Sequence, residues 1–244
     1  MANQEDRDLG ILDQPRVSSV LFHPRPEPVG YSAITGTDVT IPVARDVSLG
    51  ARFHLQAPAA ANVLFFHGNG EIAADYEPLA PLYNRLEINF LCVDYRGYGR
   101  SQGEPTATTL LSDARVAFDF THNWLTEQGF DGPLVVMGRS LGSAAALEIA
   151  ASRADKMAGL IIESGFASAV PLLELFGVDP EAIGYREERG FRQLRKIGAF
   201  DKPTLIIHAQ RDHLIALSQG QALYEASGAA DKALVVIADA NHND

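Results

Sequence analysis

The stretch Pro133-Leu134-Val135-Val136-Met137-Gly138-Arg139-Ser140-Leu141-Gly142-Ser143-Ala144-Ala145-Ala146-Leu147-Glu148 decides how this chain is to be read. A continuous apolar run reads as a strand buried on both faces, and the run of small residues that follows reads as a helix packed close to it. Between them Gly138 to Gly142 fits G-x-S-x-G. A serine on a sharp turn between strand and helix is held up at the helix N-terminus, and the flanking glycines leave room for the strained turn. The motif alone is a weak signal, because Gly99-Arg100-Ser101-Gln102-Gly103 matches it too. Ser101 lies several residues past its strand, with Pro105 following in a polar stretch, and reads as a loop serine. Ser140 is the candidate nucleophile.

Working outward, five more apolar runs share the pattern: Val63 to Phe66, Asn89 to Val93, Ala158 to Ile162, Thr204 to Ile207 and Ala233 to Ile237. Helical stretches separate several of them, over Asp75 to Leu86, Thr109 to Gln128 and near Ser218 to Ser227. Strands apolar on both faces, alternating with helices, predict a doubly wound α/β fold. Val39 to Val43 and Gly50 to Leu55 flank Ala44 to Ser48 and predict an antiparallel hairpin ahead of the parallel part. Residues 1–19 are polar and read as a flexible arm; 20–244 read as one domain.

Composition narrows the function. The chain has 244 residues, and 46% of them are hydrophobic, as in an ordinary globule. Its formal charge of −11 disfavours nucleic acid and anionic membrane surfaces as partners. A single cysteine, Cys92, excludes an internal disulfide and a cysteine-based metal cluster; it lies in an apolar run and reads as inert core. The first residues lack a basic and then apolar secretory pattern, and no apolar run approaches a membrane span. The expectation is a cytoplasmic protein.

In open α/β sheets the chemistry lies beyond the carboxyl ends of the strands. A serine needs a base and an orienting acid, and in the strand-elbow-helix arrangement these follow in the order Ser, Asp or Glu, His. Asp212 follows the run at Thr204, and His242 follows the run at Ala233. Glu163, at the end of the run before, is the alternative acid. Asp239 reads as a turn cap. His208 and His213 are weaker candidates for the base, and His23, His54 and His122 read as surface or structural histidines. His67-Gly68-Asn69-Gly70 ends the first run, so the backbone N–H groups of Asn69 and Leu141 are the candidate oxyanion donors.

Together these marks resemble the α/β-hydrolase fold family, and in particular its Bem46-like and ABHD17-like branch of small serine hydrolases. The resemblance runs from about residue 39 to the end. It rests on Phe66 to Gly70, Asp94 to Ser101, Gly138 to Gly142, Ile162 to Phe166, Asp212 and His242. It implies Ser140, Asp212 and His242 as a catalytic triad, Asn69 and Leu141 as an oxyanion hole, and Asp94 to Gly99 as a structural loop beside the site. The oxyanion loop is one residue shorter than the family's usual His-Gly-Asn-Ala-Gly, and Asn241 stands where glycine usually precedes the histidine. ABHD17-like members carry N-terminal cysteines for lipid attachment, and the lack of them here speaks against a membrane-linked depalmitoylase.

The expected activity is hydrolysis of a small-molecule carboxylic ester or thioester, with no metal or organic cofactor. Peptidase, amidase or acyltransferase chemistry on the same fold is the first rival. A non-catalytic ligand-binding protein is the second. Residues 166–200 form a short cap segment, and Phe166, Leu172, Leu173 and Phe176 are its candidate acyl-pocket residues. Family members carry a helix after the histidine. The expectation is therefore a longer native chain or a poorly held His242 loop.

Overall fold

The computed structural model describes residues 9–30 and 35–244. Eight strands form one sheet: β1 (Thr37–Ala44), β2 (Val47–His54), β3 (Ala61–Phe66), β4 (Ile88–Val93), β5 (Leu134–Arg139), β6 (Gly159–Glu163), β7 (Thr204–Ala209) and β8 (Lys232–Ile237). Their order is β1-β2-β4-β3-β5-β6-β7-β8. β1 and β2 form the expected antiparallel hairpin, and β2 pairs antiparallel with β4. From β4 to β8 every pairing is parallel. All six apolar runs are strands.

The period-2 geometry of a strand sends alternate side chains to opposite faces, and here each face has its own core. Leu64 and Phe66 of β3 join Leu91, Val93 and Val136 in the larger cluster, while Val63 and Phe65 join Phe90, Cys92 and Met137 in the smaller one. Each fully buried Phe or Leu stabilises the fold by roughly 1.5–3 kcal/mol. Cys92 is buried in the smaller cluster, and burial pushes its thiol well above the ordinary range, as an inert core thiol requires.

Seven helices among the described residues cover the sheet and its upper edge: α1 (Pro15–Leu21), α2 (Ala80–Arg85), α3 (Ala107–Glu127), α4 (Gly142–Arg153), α5 (Val170–Leu175), α6 (Gln193–Ala199) and α7 (Leu217–Ala226). Thr106 caps α3, accepting from the Thr109 N–H, and Leu110, Leu111, Ala114, Ala117 and Phe118 face the core as the periodicity predicts.

Several expectations are corrected. The helix over Asp75 to Leu86 is interrupted: Ala73–Tyr76 form a 3-10 turn and α2 starts only at Ala80. Pro78 lies between them, and its ring nitrogen has no N–H with which to continue a helical hydrogen-bond ladder. The predicted flexible arm is ordered where it is described. α1 occupies Pro15–Leu21, Leu12 and Val17 are buried in the main core, and Asp13 accepts from the Thr108 N–H at the start of α3. Residues 1–8 of that arm lie outside the described residues. β8, read as covered on both faces, is an edge strand on which Val235, Val236 and Ile237 are 40–45% exposed.

Candidate active site

Ser140 follows β5 directly. Its φ of 51° is left-handed, a conformation disfavoured for a residue with a Cβ and held only by its surroundings. Its N–H donates to the Glu163 carbonyl (2.8 Å), and its own carbonyl accepts from the Ser143 hydroxyl (2.6 Å). Both motif glycines are sterically required: a Cβ on Gly142 would overlap the Phe66 carbonyl, and one on Gly138 would overlap the Gly142 carbonyl. Ser101 does different work, with its hydroxyl accepting from the Gly50 N–H (2.8 Å) and donating to the Asp94 carbonyl (2.9 Å). It braces a loop.

Beyond β7, Asp212 accepts from the Leu214 and Ile215 N–H groups through one oxygen (3.0 and 2.8 Å). Its other oxygen lies 2.7 Å from His242 Nδ1, and His242 Nε2 lies 3.0 Å from Ser140 Oγ. Burial alone would raise the carboxyl of Asp212; the hydrogen bonds from His242 and from the two N–H groups outweigh it and hold it below the ordinary value. All three side chains are at most 9% exposed.

The alternatives fall elsewhere. Glu163 pairs with Arg139 rather than His242, and burial raises its carboxyl. Asp239 is an exposed turn residue paired with Arg211. His208 is buried with Nε2 on the Ile215 carbonyl (2.8 Å), and His213 is exposed. His54 is buried against Thr35, and burial lowers its imidazole.

At the end of β3, the Asn69 side chain is fully engaged. Its Oδ1 accepts from the His23 N–H (2.9 Å) and the Tyr98 hydroxyl (2.6 Å), and its Nδ2 donates to the Leu21 carbonyl (3.0 Å). The Gly68 N–H donates to Glu71 (2.6 Å). Among the described residues, the backbone N–H groups of Asn69 and Leu141 have no protein acceptor. Both residues line the cavity in front of Ser140.

That cavity has a volume of about 240 Å³ and is mostly apolar. Phe166, Leu172 and Phe176 line it, together with Phe191 and Ile215. Leu173 does not. It is fully buried in the core, because on α5 it lies about 100° round the helix from Leu172. Ala169, Leu172 and Phe176 share the cavity-facing side at helical spacing. The cap is also shorter than expected, since α6 packs on α4 and α7 as part of the sheet's covering layer.

The sequence reading missed three features. Leu21, Phe22 and His23 form one wall of the cavity, although they are far from every motif. Glu187 accepts from the Ala169 and Arg192 N–H groups (2.8 and 2.9 Å) and from the Tyr185 hydroxyl (2.8 Å), closing the cap at its base. Arg139 bonds to Glu71, Glu163 and the His242 carbonyl. That last contact ties the His242 loop to the end of β5. Among the described residues no helix is long and apolar enough to cross a membrane, and no group of three or more His, Cys, Asp or Glu residues could hold a metal ion.

A parallel sheet with an antiparallel leading pair, and a strained serine between β5 and α4, define the α/β-hydrolase fold. In sequence the chain is similar to the Bem46-like and ABHD17-like branch of proteins with that fold. Residues 57–176 match the family described as serine aminopeptidase, S33. The chain is 27% identical to protein bem46 of Schizosaccharomyces pombe over 192 residues, covering 75% of this chain and 61% of that protein. It is 30% identical to mouse α/β hydrolase domain-containing protein 17C over 207 residues, covering 82% of this chain and 60% of that one. It therefore spans about three-fifths of the length of these two relatives. The Pyrococcus furiosus esterase Pf2001 shares the fold, with a TM-score of 0.70 at 20% identity, covering 91% of each chain.

Proposed function

We propose that this protein is a serine hydrolase that cleaves small carboxylic esters or thioesters through an acyl-enzyme. The observation that carries the reading is the unbroken line from Asp212 through His242 to Ser140, at 2.7 and 3.0 Å, facing an apolar cavity. Ser140 Oγ attacks the carbonyl carbon as His242 Nε2 takes its proton. Asp212 holds the Nδ1–H tautomer and stabilises the imidazolium. The oxygen that gains charge is received by the N–H groups of Asn69 and Leu141. His242 then gives its proton to the leaving alcohol or thiol, and water repeats the sequence to release the acid.

An aminopeptidase is the second reading, after the description of the matched family. It needs a carboxylate free to hold the substrate's ammonium group. The acidic residue lining the cavity, Glu71, is already taken up by Arg139, the Gly68 N–H and the Tyr76 hydroxyl. Ester cleavage is therefore favoured. The test is fluorophosphonate labelling with hydrolysis of p-nitrophenyl esters of graded acyl length, set against aminoacyl p-nitroanilides. Labelling at Ser140 and ester turnover are expected; turnover of the anilides alone would overturn the ester reading.

A further inference from the structure

We infer that Arg139 is a positioning residue of this site, one guanidinium that locks the His242 loop and the oxyanion loop to the nucleophile's strand. The inference rests on the proposed function. Arg139 immediately precedes Ser140, so its backbone is part of the elbow. Its side chain is 11% exposed and bonds in three directions. Nη2 donates to the His242 carbonyl at 2.6 Å. Nη1 pairs with Glu71 Oε1, while Glu71 Oε2 accepts from the Gly68 N–H and the Tyr76 hydroxyl, both at 2.6 Å. Nε donates to Glu163 Oε1 at 3.2 Å, at the end of β6.

The ends of three neighbouring strands and the loop carrying the base thus meet on one rigid fork. A planar guanidinium can hold such directions at once, and an ammonium cannot. Charge is arranged there too. The groups around His242 are Asp212 on Nδ1, His208 beyond it at 3.7 Å from Asp212, Glu163 in electrostatic contact, and Glu71 behind Arg139. Arg139 is the cation among these carboxylates. Without it, excess negative charge would favour the imidazolium and oppose the base.

The experiment measures p-nitrophenyl butyrate hydrolysis against pH for wild type, Arg139→Met, Arg139→Lys, Glu163→Gln and a control, Arg153→Gln, which alters a remote pair with Asp119. Arg139→Met is expected to lower kcat by about 10- to 100-fold with KM within about threefold, the signature of lost alignment. The midpoint of its pH profile should move up, and that of Glu163→Gln down. Arg139→Lys, which keeps the charge, should lose kcat without moving the midpoint, and it decides the matter if the Met variant does not fold. Unchanged kcat in the Lys variant, or a Met variant whose midpoint stays put, would overturn the inference while leaving the proposed function intact. A wild type that is neither labelled at Ser140 nor active on the ester would overturn both.

Discussion

Asn69 and His23 are 46 residues apart and meet twice, through the His23 N–H on Asn69 Oδ1 (2.9 Å) and through Asn69 Nδ2 beside His23 Nδ1 (2.8 Å). This clamp fastens the N-terminal wall of the cavity to the loop proposed to stabilise the oxyanion. The side chain of Asn69 thereby orients the backbone N–H of the same residue. Asn69→Ala should lower kcat/KM by about 10- to 100-fold although the N–H itself remains. It should also destabilise the fold by about 1–3 kcal/mol, because it removes the acceptor of the buried Tyr98 hydroxyl and the side-chain donor to the Leu21 carbonyl. Steady-state kinetics and urea unfolding check both; wild-type kinetics would show that the loop needs no clamp.

The two serines of the repeated motif should separate cleanly. Ser140→Ala should abolish fluorophosphonate labelling. Ser101→Ala should keep labelling and lose about 1 kcal/mol of stability, since it removes hydrogen bonds to Gly50 and Asp94. Labelling that follows Ser101 would contradict the elbow assignment.

Asp212 and Glu163 predict opposite responses to pH. The carboxyl of Asp212 is held down in the fold, so its contribution to stability is present above the ordinary carboxylate pKa of about 4 and is lost as pH falls through its lower folded value. Glu163 is raised by burial, so its contribution grows as pH falls and is lost as pH rises through the folded value. Asp212→Asn should flatten the acid limb of a urea-midpoint profile and cut kcat by several orders of magnitude, about 10⁴-fold. Glu163→Gln should leave that limb in place. The reverse pattern would exchange the acids.

Acyl preference should favour short chains, because about 240 Å³ is below the roughly 300–1,000 Å³ typical of pockets for drug-sized ligands. Phe176→Ala should shift the preference toward longer p-nitrophenyl esters. Leu173→Ala, about 100° round the helix from Leu172, should leave the preference alone and destabilise by about 2–5 kcal/mol as a core truncation. A change of chain-length preference in Leu173→Ala would place that residue back in the pocket.

Lys196 is buried beside Glu148 at 2.7 Å, and that pair ties α6 to α4 under the cap. Glu148→Ala should destabilise by about 3–5 kcal/mol by leaving a buried cation unpaired, and Lys196→Met in the same chain should recover part of the loss. Thermal or urea unfolding of the single and double variants measures the coupling; strict additivity would show there is none.

Much of this was legible locally. Continuous apolar runs such as Leu134 to Met137 and Leu205 to Ile207 announce strands covered on both sides, because only a parallel sheet between helices hides both faces. The glycines around Ser140 announce a turn that a Cβ would block. Topological order then placed Asp212 and His242 at adjacent strand ends. β8 has the same apolar run but lies at the sheet edge, and its composition does not reveal that it has a single neighbour. The polarity of the first residues likewise hid Leu12 and Val17, which are buried in the main core.

The sequence by itself determined the α/β architecture, the elbow and the short list from which a triad could be drawn, since each depends on short-range periodicity or on the order of strand ends. Tertiary structure alone decided that Asp212 rather than Glu163 faces the imidazole, and that Leu172 rather than Leu173 lines the cavity. It alone brought Leu21 to His23 to the pocket and gathered Glu71, Glu163 and His242 around Arg139. These are matters of side-chain direction and of distances across loops, and a difference of one residue along a helix or of a few ångströms between loops leaves no mark on local sequence pattern.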